Sequence, residues 1–321
     1  MRPLLDSLLA QEFAWFTIVV RDDCSDDATL TIVREYAARH PGRIVLLPSP
    51  TCTAGAASNF AALIAAANAD FIFLCDQDDI WLPGKMATSF AAMGDLVRTW
   101  GHDHPLLVHT DLAVVGPDLQ PLSDSLHRYA RFDPERHALS DLLLGNVVTG
   151  CTIVANRSLY ANARPIPAEA GMYDHWLGQV ATALGEIRLI PEATVLYRQH
   201  GRNVVGVRPA GFVRFVLSVQ RTIFSDATFR VLCAYCDQAD ILRVRYGARL
   251  TPRQLAQVSA LAEVWTLPRR KRFVKLWKAG LRKPRFAGNI ALFLLMLRRR
   301  DQPKATQGSS LPGPSSPRRS G

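Results

Sequence analysis

Short apolar runs alternate with longer amphipathic stretches over the first quarter of the chain. FTIVV (16–20), RIVLL (43–47) and FIFLC (71–75) have the length and branching of buried strands. Between them, DDATLTIVREYAARH and the small-residue stretch AGAASNFAALIAAANA carry helical spacing, and residues 4–11 read as an opening helix. Ser25 or Asp26 stands where a helix cap belongs, and Pro41-Gly42 where that helix ends. Strand, helix, strand, helix, strand predicts an α/β fold with a mostly parallel sheet flanked by helices. Beyond Asp79 the pattern loosens. PLLVHTDLAVVG (105–116) and NVVTGCTIVAN (146–156) read as strands, and 117–140 as polar loop. YDHWLGQVATALG (173–185) reads as a helix stopped by Gly185, and IRLIPEATVLYRQHG (187–201) as extended chain. From about 211 to 300 the period is helical; residues 301–321 are rich in Pro, Gly and Ser and lack the apolar content to fold.

Charge divides the chain further. From Thr266 onward lie 15 of the 38 Lys and Arg but one of the 28 acids, leaving 23 basic and 27 acidic residues before it. A basic tail on a mildly acidic body predicts a surface-binding appendage more than a nucleic-acid groove. No leader-like segment and no run of roughly 20 apolar residues is present, and six cysteines are then expected as reduced thiols in the cytoplasm. Cys233-x-x-Cys236 has no second pair or His beside it and reads as helix packing.

Four stretches carry chemistry. In VVRDDCSDDAT (19–29), Asp22 and Asp23 follow a strand at the edge where open α/β sheets bind ligands; they either contact a ligand or cap the next helix. In FIFLCDQDDIWLPGKM (71–86), Asp76, Asp78 and Asp79 crowd the end of an apolar strand, and like charges so close call for a cation. Asp76 and Asp78, one residue apart in extended chain, would point to one side and share a hard ion such as Mg2+ or Mn2+. In MYDHWLGQV, Asp174 beside His175 and Trp176 is either a general base in apolar surroundings or a helix N-terminal acid. In VLYRQHGRNVVG (195–206), His200 is either structural or a metal or phosphate ligand, with Arg198 beside it for phosphate. Asp111, on a strand, is a further candidate for acceptor binding.

These stretches, with LLDSLLAQ, ASNF and NVVTGCT, occur in one order over residues 4–206 and resemble the family 2 glycosyltransferases, in particular the rhamnosyltransferase-like enzymes. The resemblance implies an A-type glycosyltransferase fold with a C-terminal helical extension. Residues 1–210 would form the catalytic domain, nucleotide-binding to about 115 and acceptor-binding from about 116. Residues 211–300 would form a helical basic extension, and 301–321 a disordered tail. It implies inverting transfer from a nucleoside-diphosphate sugar, dTDP-rhamnose among the candidates, to a cell-surface polysaccharide or lipid-linked acceptor. By position, Asp22, Asp23, Ser25, Asn59, Asp76 and Arg198 would bind the nucleotide. Asp76, Asp78 and His200 would hold Mg2+ or Mn2+. Asp174 would be the base, and Asp111, His175 and Trp176 would contact the acceptor. His175 stands where the family pattern has an aromatic. The family's first strand has no counterpart ahead of residues 4–11, which predicts a catalytically inactive binding protein as the alternative.

WTLPRRKRFVKLWKAGLRKPRF (265–286) holds nine basic residues, no acid, and interleaved Trp, Phe and Leu. Together with IALFLLMLRRR it either docks on the inner membrane face or forms a solvated helical face or an apolar helix packed on the catalytic domain. No nucleic-acid motif accompanies the charge.

Overall fold

The computed structural model describes residues 1–13, 15–49, 52–53, 55–131, 133–199 and 225–300. His200 lies outside the described residues, as do 201–224 and 301–321.

The first layer is small. β1 (Ile18–Val20) and β2 (Ile44–Leu46) pair in parallel, Ile18 opposite Ile44, with α2 (Thr29–Arg39) crossing between them. α1 (Arg2–Leu9) turns Leu4, Leu5 and Leu8 onto the same apolar cluster as Ile18, Val33 and Ile44. The Tyr36 hydroxyl donates to Asp6 at 2.6 Å and fastens α1 to α2. Ser25 and Asp26 do not cap α2. It starts after Ala28, and its first free N–H, that of Thr29, is taken by Asp27.

The second sheet has six strands. β3 (Phe71–Phe73), β4 (Ile80–Trp81), β5 (Leu106–Val115), β6 (Pro121–Ser123), β7 (Val154–Asn156) and β8 (Glu186–Arg198) pair in the order β3-β7-β5-β8-β4, with β6 on β5. Only β5 and β8 pair in parallel here; β3–β7, β5–β7, β4–β8 and β5–β6 are antiparallel. The sheet is therefore less parallel than the strand–helix alternation predicts. Alternation guarantees parallel pairing only when a crossover returns beside its own strand, and β3 is joined instead by β7, from 80 residues later in the chain.

β5 is buried at nine of its ten positions, so its apolar run is continuous rather than alternating. α4 (Lys85–Trp100) covers β5 and β8. The sequence pattern passes over this helix because its small and polar residues give a weak apolar stripe. Residues 150–152 form a 3-10 turn ahead of β7, so the predicted strand 146–156 shrinks to its last three residues. α8 (Tyr173–Leu184) ends at Gly185 as expected, where a Cβ would run into the Pro105 carbonyl.

α5 (Leu126–Ala130), α6 (Leu139–Leu142) and α7 (Arg157–Ala163) are short. The extension holds α9 (Asp226–Tyr246), α10 (Pro252–Ala262), α11 (Arg269–Lys278) and α12 (Phe286–Met296). Its Leu232, Leu242, Val258, Leu276, Leu292 and Met296 share one apolar cluster with Leu142, Trp176 and Val180 of the preceding chain. Cys24 and Cys52 form a disulfide, against the expectation that all six thiols are reduced; Cys75, Cys151, Cys233 and Cys236 are free. A pairing between two loops 28 residues apart leaves no trace in sequence spacing. Cys236 packs in the core of α9, as its helical setting predicts.

Candidate active site

Three chain segments carry candidate residues: the loop after β1, the chain leading into the helix at Ala56–Ala66, and the end of β3. The loop after β1 is held from both sides. Asp22 accepts from the Ser25 backbone N–H at 3.1 Å and its hydroxyl at 2.6 Å, closing a tight turn. Asp23 accepts from the Thr53 N–H and from its hydroxyl at 2.8 Å, and Arg21 lies 3.6 Å away. Burial alone would raise the Asp23 carboxyl, but the Thr53 donors and the Arg21 charge outweigh it and hold it below its ordinary range. Asn59 accepts from Arg21 at 2.6 Å and donates to the Arg21 carbonyl at 3.1 Å, tying α3 (Ala56–Ala66) to the same loop. The Cys24–Cys52 bond staples these loops together. Asp22 also borders a cleft of about 270 Å3 with Arg34 and Leu46.

At the end of β3 the acids are as crowded as the sequence suggests, but not for the predicted reason. Gln77 and Asp78 form a turn, so Asp76 and Asp78 are not brought to one side by strand alternation. Among the described residues the group whose ligand atoms approach within 4.8 Å of one another is Asp76, Asp79 and Cys151. Burial, then the charges of Asp78 and Asp174, raise Asp76 to about 7. Burial, then Asp76, raise Asp79 to about 8. One Asp79 oxygen accepts from the Arg198 N–H at 3.2 Å; the other is buried without a hydrogen-bond partner. Burial also drives the Cys151 thiol well above its ordinary value, so it stays protonated and is a poor ligand for a hard ion.

What remains is an oxygen donor set with an unsatisfied lone pair and mutual repulsion, which fits Mg2+ or Mn2+. Behind it, Lys85 is fully buried, its ammonium 4.7 Å from the Trp81 ring centre and 3.4 Å from the Thr152 carbonyl. Burial lowers Lys85 to about 8 although Asp79 opposes that shift. Sequence reading missed Lys85 and Cys151. A lone Lys in the first turn of α4, against the helix dipole, was the available signal.

Asp174 opens α8 with its carboxylate inward. One oxygen accepts from the Gly150 N–H at 3.0 Å and the other from the His175 N–H at 2.6 Å. Burial raises it to about 6, against those two donors. Its charge reaches Asp76, so the structure brings the end of β3 and the start of α8 to one place. Tyr173 packs between them, stacked on Phe60 with ring centres 4.0 Å apart. A Cβ at Gly150 would collide with the Tyr173 hydroxyl. Gly150→Ala should therefore displace Tyr173 or the Asp174 hydrogen bond. The expected result is a turnover loss of about tenfold or more, with a melting temperature changed by only a few degrees, measured on one preparation.

The three residues expected to touch the acceptor do not face open space. Asp111 is 4% exposed and its oxygens are taken by the Leu112 and Leu126 N–H groups, the Ser125 hydroxyl and His127. It fastens the start of α5 to β5. Trp176 is fully buried and donates to the Ala163 carbonyl at 2.9 Å. His175 is buried, its ring on the Leu142 carbonyl at 2.5 Å and edge-on to Tyr235. Burial lowers it to about 4, so it is neutral. All three are buried, as Asp174 itself is. Arg198 lies by the acids, with its guanidinium donating to the Pro117 carbonyl at 3.4 Å. A larger cleft of about 350 Å3, between His137, Glu186, Arg253 and Gln257, holds none of the predicted site residues.

Comparison with known proteins adds four findings. Residues 1–96, which carry Asp22, Asp23, Asn59 and the acids after β3, match the family described as Glycosyl transferase family 2. An uncharacterised protein of Mycobacterium tuberculosis is 29% identical over 206 residues, 64% of this chain and 56% of that protein. The chain thus spans little more than half the length of those mycobacterial relatives. A dTDP-rhamnosyl transferase of Shigella flexneri is 29% identical over 206 residues, 63% of this chain and 69% of that one. Among solved structures, S. aureus TarS 1–349 superposes with a TM-score of 0.50 at 16% identity, covering 92% of this chain and 86% of that one. At that identity the likeness speaks to the fold, which is the A type of glycosyltransferases. With the A-type fold, the family match over residues 1–96 and these relatives, the chain is similar to the family 2 glycosyltransferases.

Proposed function

We propose that this chain is an inverting glycosyltransferase that moves a sugar from a nucleoside-diphosphate donor to an acceptor hydroxyl. The observation that carries the reading is that the Asp174 carboxylate, from a segment almost 100 residues away, lies near enough to help raise Asp76 in the cluster of acids after β3. The Shigella relative's name supports dTDP-rhamnose as donor. A cell-surface polysaccharide or lipid-linked glycan is the proposed acceptor.

In this reading the loops bearing Asp22, Asp23 and Ser25, braced by Asn59, receive the nucleoside, with Arg198 near the phosphates. Asp76 and Asp78 would hold Mg2+ or Mn2+, with buried Asp79 behind them. When bound, that cation neutralises charge on the departing diphosphate. Asp174 takes the acceptor hydroxyl proton. The acceptor oxygen then bonds the anomeric carbon as the carbon–phosphate-oxygen bond breaks, and the electron pair leaves on the diphosphate. One displacement inverts the anomeric centre. The Gly150 and His175 N–H groups orient the base.

The test is calorimetric titration of dTDP, UDP and GDP with Mn2+ or Mg2+, on the wild type and on Asp78→Ala. Metal-dependent binding of one nucleotide, weakened at least about tenfold in Asp78→Ala, is the expected outcome. Binding of none of the three would overturn the reading. Loss in Asp79→Asn but not Asp78→Ala would move the cation inward to the Asp76–Asp79 pair.

A further inference from the structure

We propose that the hairpin of α11 and α12 is a docking surface for an anionic lipid bilayer. On α12, Leu292, Leu295 and Met296 face the core, while Phe286 (82% exposed), Ile290 (44%), Phe293 (42%) and Leu297 (36%) do not. Steps of four, three and four residues put those exposed side chains on one stripe. On α11, Leu276 is buried and Val274 and Trp277 are exposed. Phe273 lies edge-on to Phe293, ring centres 5.4 Å apart, and joins the two stripes into one apolar face. A face of this kind on an otherwise ordinary surface marks an interaction site.

Charge decides the occupant. Exposed Arg270, Lys271, Lys275 and Lys278 flank the stripe, and no acid occurs from Thr266 to Arg300. A second copy of this chain would oppose like charges across the face, which disfavours self-association. A bilayer with anionic headgroups meets both features: its acyl boundary takes the Phe and Trp rings, and its surface takes the cations. The Arg282 guanidinium stacks on the Trp277 ring at 4.0 Å, pairing a cation with an exposed aromatic on this face. Neither helix is long and apolar enough to cross a membrane, so the hairpin would lie in the interface.

The hairpin is wired to the catalytic side. In its connecting loop Lys283 donates to the Leu144 carbonyl and Arg285 to the Arg131 carbonyl. Leu142, two residues from Leu144, accepts from the His175 ring, and the His175 N–H holds Asp174. A docked hairpin would hold the segment that carries His175 and Asp174 near the membrane, where a lipid-linked hydroxyl would be found. That consequence rests on the transferase reading; the docking does not.

Flotation of the full chain with phosphatidylcholine vesicles, with and without about one third phosphatidylglycerol, tests it. The wild type should float with the anionic vesicles and bind neutral ones at least about tenfold more weakly. Phe286→Gln/Phe293→Gln and Lys271→Gln/Lys275→Gln/Lys278→Gln should each lose about tenfold or more of the anionic binding. All five sites are exposed, so melting temperatures should hold. Equal flotation of the variants, no flotation of the wild type, or a wild-type dimer that the Phe variant dissociates would each overturn the proposal. The assay needs neither nucleotide nor metal. A hairpin that fails to bind leaves the transferase reading standing, and a chain that binds vesicles but no nucleotide leaves the docking standing.

Discussion

Asp174→Asn will lower turnover by about a thousandfold while leaving donor affinity within a few-fold, because the amide keeps the shape and one of the two N–H contacts but takes no proton. The pH profile sharpens the result. Burial raises the Asp174 carboxyl to about 6, and a base works only when ionised. Turnover should therefore rise with pH through about 6 and level off above it. His175 sits near 4 and is neutral across that range, so it adds no second limb. The residual activity of Asp174→Asn should lack the limb. A mutant with full turnover, or one that loses donor binding in step with turnover, would remove Asp174 from the role of base. Single-turnover rates from pH 5 to 8, with nucleotide titration alongside, make the measurement.

Asp76→Asn should have two opposite effects. It should abolish metal-dependent nucleotide binding, a loss of about a hundredfold or more if a direct oxygen ligand is removed. It should also stabilise the metal-free protein by about 1–2 kcal/mol, a few degrees in melting temperature, because an enclosed charge beside Asp78 and Asp174 disappears. The sign follows from linkage. The folded Asp76 carboxyl sits near 7, above its unfolded value of 3.8, so the folded state prefers the protonated form. The penalty is absent below the unfolded value, grows as pH rises toward 7, and is complete above it. Metal-free wild type should thus lose stability relative to Asp76→Asn between pH 4 and 7, and added Mn2+ should restore it in the wild type alone. Thermal melts across that window, with and without Mn2+, decide it. A mutant less stable than metal-free wild type at pH 7 would show the acid serving the fold instead.

Local chemistry made much of this protein readable. Phe71–Phe73 announces itself as a strand because its residues are apolar and aromatic, and the acids after it stand out because three like charges in four positions have no cheap structural reason. Asp174 was legible as a helix-opening acid beside bulky apolar side chains. The loops bearing Asp22 and Asp23 were legible by their place after a strand, though their use as braces to Ser25 and Thr53 was not.

Other features needed the whole chain in place. Which carboxylates converge depends on the turn at Gln77–Asp78, and that turn is held by β4 pairing with β8, more than a hundred residues away. Asp111, His175 and Trp176 had polar or aromatic neighbours that looked like an acceptor wall. Their burial is set by β5 at the sheet centre and by α9 and α10 packing over α8. The Cys24–Cys52 bond, the buried Lys85 and the Gly150 clamp on Asp174 likewise join segments that sequence spacing cannot relate. Periodicity and charge report what each segment prefers by itself, so the sequence alone determined most of the elements, the crowded acids and the basic, apolar C-terminal segment. Pairing partners and the direction each side chain faces are decided by long-range burial, so the sheet order and the membership of the site belonged to the tertiary structure.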